Sequence, residues 1–130
     1  MARTVLLIED NEQNRYLTTF LLERHGYTVE AAVDGLQGIT AATARVPDVI
    51  LLDIQLPRMD GYAVARALRA DPALARVPIV AVTSYAMVGD REASLAAGCS
   101  GYIEKPINPD TFVSEMERLC DEFLASEGAV

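Results

Sequence analysis

The sequence predicts an α/β protein: five parallel strands in an open, doubly wound sheet, with helices on both faces. Three observations carry this. Five short apolar runs alternate with longer amphipathic stretches. The clearest runs are continuous rather than alternating, which suits strands buried on both faces. Capping residues, glycines and prolines punctuate the chain where helices should start and stop.

The first strand is Thr4-Val5-Leu6-Leu7-Ile8. A helix is expected over about 13–25, with Tyr16, Leu17, Phe20 and Leu21 at the spacing of a buried stripe. Gly26 stands where a helix C′ glycine belongs, and 27–32 reads as the second strand. Asp34 can cap a helix over about 36–44, which Pro47 follows. Val49-Ile50-Leu51-Leu52 is the third strand, and Asp60 precedes a helix over about 62–70. Pro78 leads into the fourth strand, Ile79-Val80-Ala81-Val82. A polar helix over about 90–97 stops at Gly98, and Tyr102-Ile103 is a short fifth strand. Asn108 and Pro109 offer an N-cap and an N1 proline to the last helix, which carries Phe112, Met116, Leu119 and Phe123 on one stripe.

No linker, repeat or low-complexity stretch interrupts the pattern, and few residues follow the last helix. Residues 1–130 are therefore expected to be a single domain with no output domain. A net charge of −8 argues against nucleic acid and against an anionic membrane surface as partner. Cys99 and Cys120 have neither CxxC nor metal-ligand spacing and read as buried thiols in a reducing compartment. With no signal peptide and no membrane-length apolar run, the expected location is the cytoplasm.

In sheets of this class, ligands bind beyond the carboxyl ends of the strands. Glu9 and Asp10 follow the first strand, Asp53 the third, Thr83 and Ser84 the fourth, and Lys105 the fifth. Each alone is an ordinary strand terminus. Together they place three carboxylates, hydroxyls and one ammonium on one rim. Crowded carboxylates repel, and one of them takes up a proton unless a cation intervenes. Mg²⁺, or Mn²⁺ in its place, suits such a site and keeps coordination positions for a phosphate. Lys105 is the only lysine in a chain that otherwise uses arginine, which suggests a site needing a compact point charge. On this reading Asp53 is the phosphoacceptor nucleophile. Asp10 and Asp53 ligate the metal, Glu9 orients a metal-bound water, and the backbone carbonyl of Gln55 completes the shell. Lys105 and Thr83 meet the phosphoryl oxygens. His25, the only histidine, reads as a helix-end residue favourable to the helix dipole.

Four segments carry a resemblance to the receiver domains of two-component response regulators. They are Ile8-Glu9-Asp10-Asn11-Glu12-Gln13-Asn14, Leu52-Asp53-Ile54-Gln55-Leu56-Pro57, Ala81-Val82-Thr83-Ser84-Tyr85-Ala86-Met87 and Lys105-Pro106-Ile107. The chain looks CheY-like over nearly its whole length and is most similar to stand-alone DivK-type regulators. Receivers of hybrid kinases share much of the pattern. The resemblance implies the flavodoxin-like (βα)5 fold with strand order 2-1-3-4-5. It also implies a cis peptide before Pro106 and a coupled switch pair, Thr83 and Tyr102. Output would run through protein contacts on the face of the fourth helix, fifth strand and fifth helix. Gln55 and Tyr85 would tune phosphate lifetime. Asn11, Asn14, Leu17 and Pro106 would form the docking face for a histidine kinase or phosphotransfer protein. The chain would not be an enzyme beyond its own phosphorylation and autodephosphorylation on Asp53, and it would be a monomer or weak homodimer.

Three other readings compete. A Mg²⁺-dependent phosphohydrolase of the haloacid-dehalogenase type would carry its nucleophile in a DxD motif on the first strand, whereas the candidate here lies on the third. A receiver-like binding module that is never phosphorylated would usually have lost an acid or the lysine. A flavodoxin-like carrier would need a phosphate loop where Glu9 and Asp10 stand.

Overall fold

The computed structural model describes residues 3–56, 59–84 and 90–128. In chain order these form β1 (Thr4–Ile8), α1 (Glu12–Arg24), β2 (Thr28–Ala32), α2 (Gly35–Ala44), β3 (Val49–Asp53), α3 (Gly61–Ala70), β4 (Ile79–Thr83), α4 (Asp90–Ala96), β5 (Gly101–Glu104) and α5 (Phe112–Gly128). A 3-10 turn over Pro72–Leu74, which periodicity did not predict, links α3 to β4. The five strands are all parallel, in the order β2-β1-β3-β4-β5.

The continuous apolar runs are explained by burial on both sheet faces. Leu6, Ile8, Ile50, Leu52, Ile79 and Ala81 pack on one side with Val64 and Leu68 of α3. Val5, Leu7, Val49, Leu51, Val80 and Val82 pack on the other with α1 and α5. Successive side chains of one strand enter different cores, so none of them can be polar.

The helix ends follow local chemistry. The side chain of Asn11 accepts from Asn14 N–H, that of Asp34 from Gln37 N–H, and that of Asp60 from Tyr62 N–H, at 2.8–3.0 Å. Gly26 and Gly98, after α1 and α4, have φ of +88° and +105°. That left-handed conformation costs glycine little. His25 caps α1, with its Nδ1 2.9 Å from the Leu21 carbonyl.

Two expectations are corrected. Tyr16 and Phe20 do not join the core: they are 73% and 45% exposed, and Thr18, Leu21 and Leu22 fill the buried face of α1 instead. The last helix does not start at Pro109. Asn108 does cap, accepting from Asp110 N–H at 2.9 Å, but 109–111 form a turn and regular α5 begins at Phe112.

Cys99 and Cys120 are free and buried. Burial pushes the Cys99 thiol up to about 11 and the Cys120 thiol up to about 12, so both stay protonated and unreactive at neutral pH. Among the described residues, no helix is long and apolar enough to cross a membrane.

Candidate functional site

Strand register assembles the site. Ile8 pairs with Leu52, so the next residues, Glu9 and Asp53, stand level at the carboxyl edge of the sheet. Asp53 pairs with Val82, and Thr83 with Glu104, which brings Thr83 and Lys105 to the same rim. Glu9 and Asp53 are each 3% exposed and Thr83 is buried, whereas Asp10 is exposed. One carboxylate oxygen from each of Glu9, Asp10 and Asp53 lies within 4.8 Å of the others.

Among the described residues, one cation faces this group. Lys105 Nζ lies 3.3 Å from Glu9 Oε1 and 3.3 Å from Asp53 Oδ2. The Lys105–Pro106 peptide is cis, as the resemblance implied. Backbone donors hold both buried acids: Asn11 N–H donates to Glu9 Oε2 at 3.1 Å, and Gln55 N–H to Asp53 Oδ1 at 2.9 Å. Three carboxylates against one ammonium still leave excess negative charge. Burial, followed by the hydrogen bond to Asp53 and its charge, pushes Glu9 up to about 7. Asn11 N–H and Lys105 oppose that rise without cancelling it. An all-oxygen, over-charged donor set with one exposed member fits a hard divalent cation, and Asp10 and Asp53 are the groups that would hold it.

This has a consequence for stability. Glu9 titrates near 4.5 when unfolded and near 7 when folded and metal-free. Between those values the folded protein binds the extra proton, so metal-free stability falls as pH rises from about 4.5 to about 7. The expected loss is of the order of 2–3 kcal/mol. Urea melts in EDTA at pH 5.5 and pH 8 should show it, and Glu9→Gln should flatten the difference. Equal pH dependence in parent and variant would reject the assignment to Glu9.

Two contacts had no signature in the sequence. Arg15 donates from one guanidinium nitrogen to the carbonyls of Glu9 (3.1 Å) and Asp10 (2.9 Å), pinning the β1–α1 turn. The Gln55 side-chain oxygen accepts from Ser84 N–H at 3.2 Å, tying the loop after β3 to the loop after β4. Both depend on how loops meet in space, which local patterning does not encode.

The remaining expected positions are distributed as follows. Asn14, Leu17, Ser84, Lys105, Pro106 and Ile107 line a groove of about 400 Å³ beside the acids. Asn11 is occupied in capping α1 and holding Glu9. Tyr102 is half-buried on β5, opposite Ala81, and borders a cavity of about 200 Å³ shared with Ser94, Leu95 and Leu119. Tyr85 lies outside the described residues.

The family model for the response regulator receiver domain matches residues 5–117. The polar-differentiation response regulator DivK of Brucella ovis is 39% identical over 117 residues, covering 90% of this chain and 95% of that protein. The receiver domain of a sensor histidine kinase from Pseudomonas aeruginosa PAO1, with a magnesium ion coordinated in its active-site cleft, is 36% identical. It superposes with a TM-score of 0.85, over 93% of this chain and 99% of that one. Chemotaxis protein CheY4 of Vibrio cholerae gives a TM-score of 0.87 at 28% identity, over 92% and 99% of the two chains.

Proposed function

This chain belongs to the response regulator receiver family, and from that premise we propose that it is a Mg²⁺-dependent switch phosphorylated on Asp53. One observation carries the assignment. Asp53 is a buried carboxylate at a strand end, 3.3 Å from the Lys105 ammonium and grouped with Glu9 and Asp10.

Each residue has a role within this proposal. A carboxylate oxygen of Asp53 forms the new bond to phosphorus as the bond to the donor breaks. The donor is a phosphohistidine of a histidine kinase or phosphotransfer protein, and the imidazole leaves with the electron pair and takes up a proton. Mg²⁺, when bound, neutralises charge developing on the phosphoryl oxygens. Asp10 and Asp53 would hold it with the backbone carbonyl of Gln55, and Glu9 would orient a water beside it. Lys105 loses one carboxylate partner as Asp53 becomes an acyl phosphate and turns to a phosphoryl oxygen. Thr83, buried at the end of β4, offers its hydroxyl to another. The groove at Asn14, Leu17 and Pro106 receives the donor protein beside the nucleophile. In autodephosphorylation a water oxygen bonds to phosphorus as the bond from phosphorus to the Asp53 oxygen breaks, which releases inorganic phosphate and restores the carboxylate, at a rate tuned by Gln55 and Tyr85.

Output in this proposal runs through the α4-β5-α5 face. Tyr102 already borders a cavity there, which leaves room for its ring to move as Thr83 is drawn toward the phosphate. A cytoplasmic location belongs to the same proposal.

The test is intact mass after incubation with acetyl phosphate and Mg²⁺, with EDTA as control, alongside a beryllofluoride titration followed by NMR. One added phosphoryl group that EDTA prevents, and a Mg²⁺-dependent spectral change near Thr83 and Tyr102, are expected. No adduct together with no response to beryllofluoride would reject the switch and leave a constitutive binding module.

A further inference from the structure

The outward side of α1 carries Glu12, Tyr16, Phe20 and Arg24, each four residues from the next, so they form one stripe along the helix. It lies opposite the buried Thr18, Leu21 and Leu22. The Tyr16 and Phe20 rings stack, with centroids 6.5 Å apart and planes 14° apart, yet both remain exposed. Arg24 extends the stack, its guanidinium carbon 5.6 Å from the Phe20 ring centre. Arg15, Thr19, Glu23 and Ala31 border the same face, which encloses a groove of about 480 Å³. Among the described residues, neither Glu12 nor Arg24 has an intramolecular ion-pair partner.

The stripe has a polarity: an acid at its amino end, two aromatic rings in the middle, a base at its carboxyl end. Two such helices packed antiparallel about a two-fold axis set Glu12 of each copy against Arg24 of the other, with Tyr16 against Phe20 at the centre. A parallel pairing would put like charges together. The surface is therefore self-complementary in one orientation, as an isologous contact requires.

We propose that the outward face of α1 docks a second copy of this chain, helix against antiparallel helix. The groove beside the acids at Asn14 and Leu17 shares no lining residue with this face, so pairing is compatible with access to the phosphorylation site. A single pair of 13-residue helices buries less than the roughly 1,600 Å² of a typical stable complex, so the dimer is weak and concentration-dependent.

Sedimentation velocity over about 10 µM to 1 mM, a range that spans weak self-association, tests this. The sedimentation coefficient of the parent should climb toward the dimer value. Glu12→Lys should set two cations against each other at both ends of the helix pair and abolish the climb. Arg24→Glu should set two acids against each other there and do the same. Mixing these two variants should restore it, because every cross-pair is then opposite in charge. The double variant should restore it as well. Thermal melts verify that each variant is folded, and the double exchange of exposed Tyr16 and Phe20 to Ser provides a version free of charge changes. A parent that stays monomeric at the highest concentration overturns the proposal. So does association that survives the Ser exchanges, or a mixture of the charge variants that fails to associate.

Discussion

Asp53→Asn is expected to take up no phosphoryl group under conditions that label the parent to completion. The amide presents no anionic oxygen, and the other carboxylates are held elsewhere: Glu9 by Asn11 N–H and Lys105, Asp10 on the exposed side of the site. Transfer should slow by at least about a thousandfold, roughly 4 kcal/mol of activation free energy. The same substitution should not unfold the protein. The Asn oxygen still accepts from Gln55 N–H, and Lys105 keeps Glu9 as its partner. Removing one of three crowded carboxylates also relieves repulsion, so the thermal midpoint should equal or exceed that of the parent. Intact mass and a thermal melt on one sample check both halves. A variant that still gains a phosphoryl group would move the phosphoacceptor to another residue.

Gly61→Ala should produce the largest loss of stability from a single methyl group. A Cβ at this position would sit 2.4 Å from Ile54 Cα and 2.6 Å from the Ile54 carbonyl oxygen. Both are backbone atoms, which cannot swing aside as a side-chain end could. The contact is also a bonded one, since Gly61 N–H donates to that carbonyl at 3.2 Å. Overpacking of this kind costs about 3 kcal/mol, or about 10 °C in thermal midpoint for a domain of this size. Because Ile54 directly follows Asp53, displacement of the loop should weaken Mg²⁺ binding as well. Gly26→Ala is the control: its Cβ would meet nothing within 4 Å, and only its positive φ penalises alanine, by about 1 kcal/mol. If the two variants melt alike, the close approach of α3 to the loop after β3 is not what requires glycine.

Much of this architecture was legible in the linear pattern. The alternation of apolar runs and caps located all five strands and five helices, because two-sided burial demands unbroken apolar residues and helix ends demand specific side chains. The turn at Pro72–Leu74 and the late start of α5 escaped it, since such turns are decided by how the chain must travel between elements. Arg69 is a sharper case. It donates to the carbonyls of Gly98 (3.0 Å), Leu74 (2.9 Å) and Val77 (2.8 Å), joining segments that no periodicity connects.

Spacing leaves the phase of α1 open for a related reason. Its apolar residues lie on two sides of the helix, and spacing alone does not say which side meets the sheet. Packing into the core with Val5, Leu7 and Tyr27 chose Leu21 and Leu22 and left Tyr16 and Phe20 in solvent.

By itself, the sequence determined the order of the elements and the chemical identity of the rim: two acids after β1, one at the end of β3, a threonine at the end of β4 and a lysine after β5. Those follow from local propensity, which is written residue by residue. Only the tertiary structure decided that Glu9 and Asp53 both sit within 3.3 Å of one ammonium, that Glu9 holds its proton up to about pH 7 when no metal is bound, and that two aromatic rings stay outside the core. Distance, desolvation and exposure belong to the packed molecule, because each depends on which distant segments the strand register and helix docking bring together.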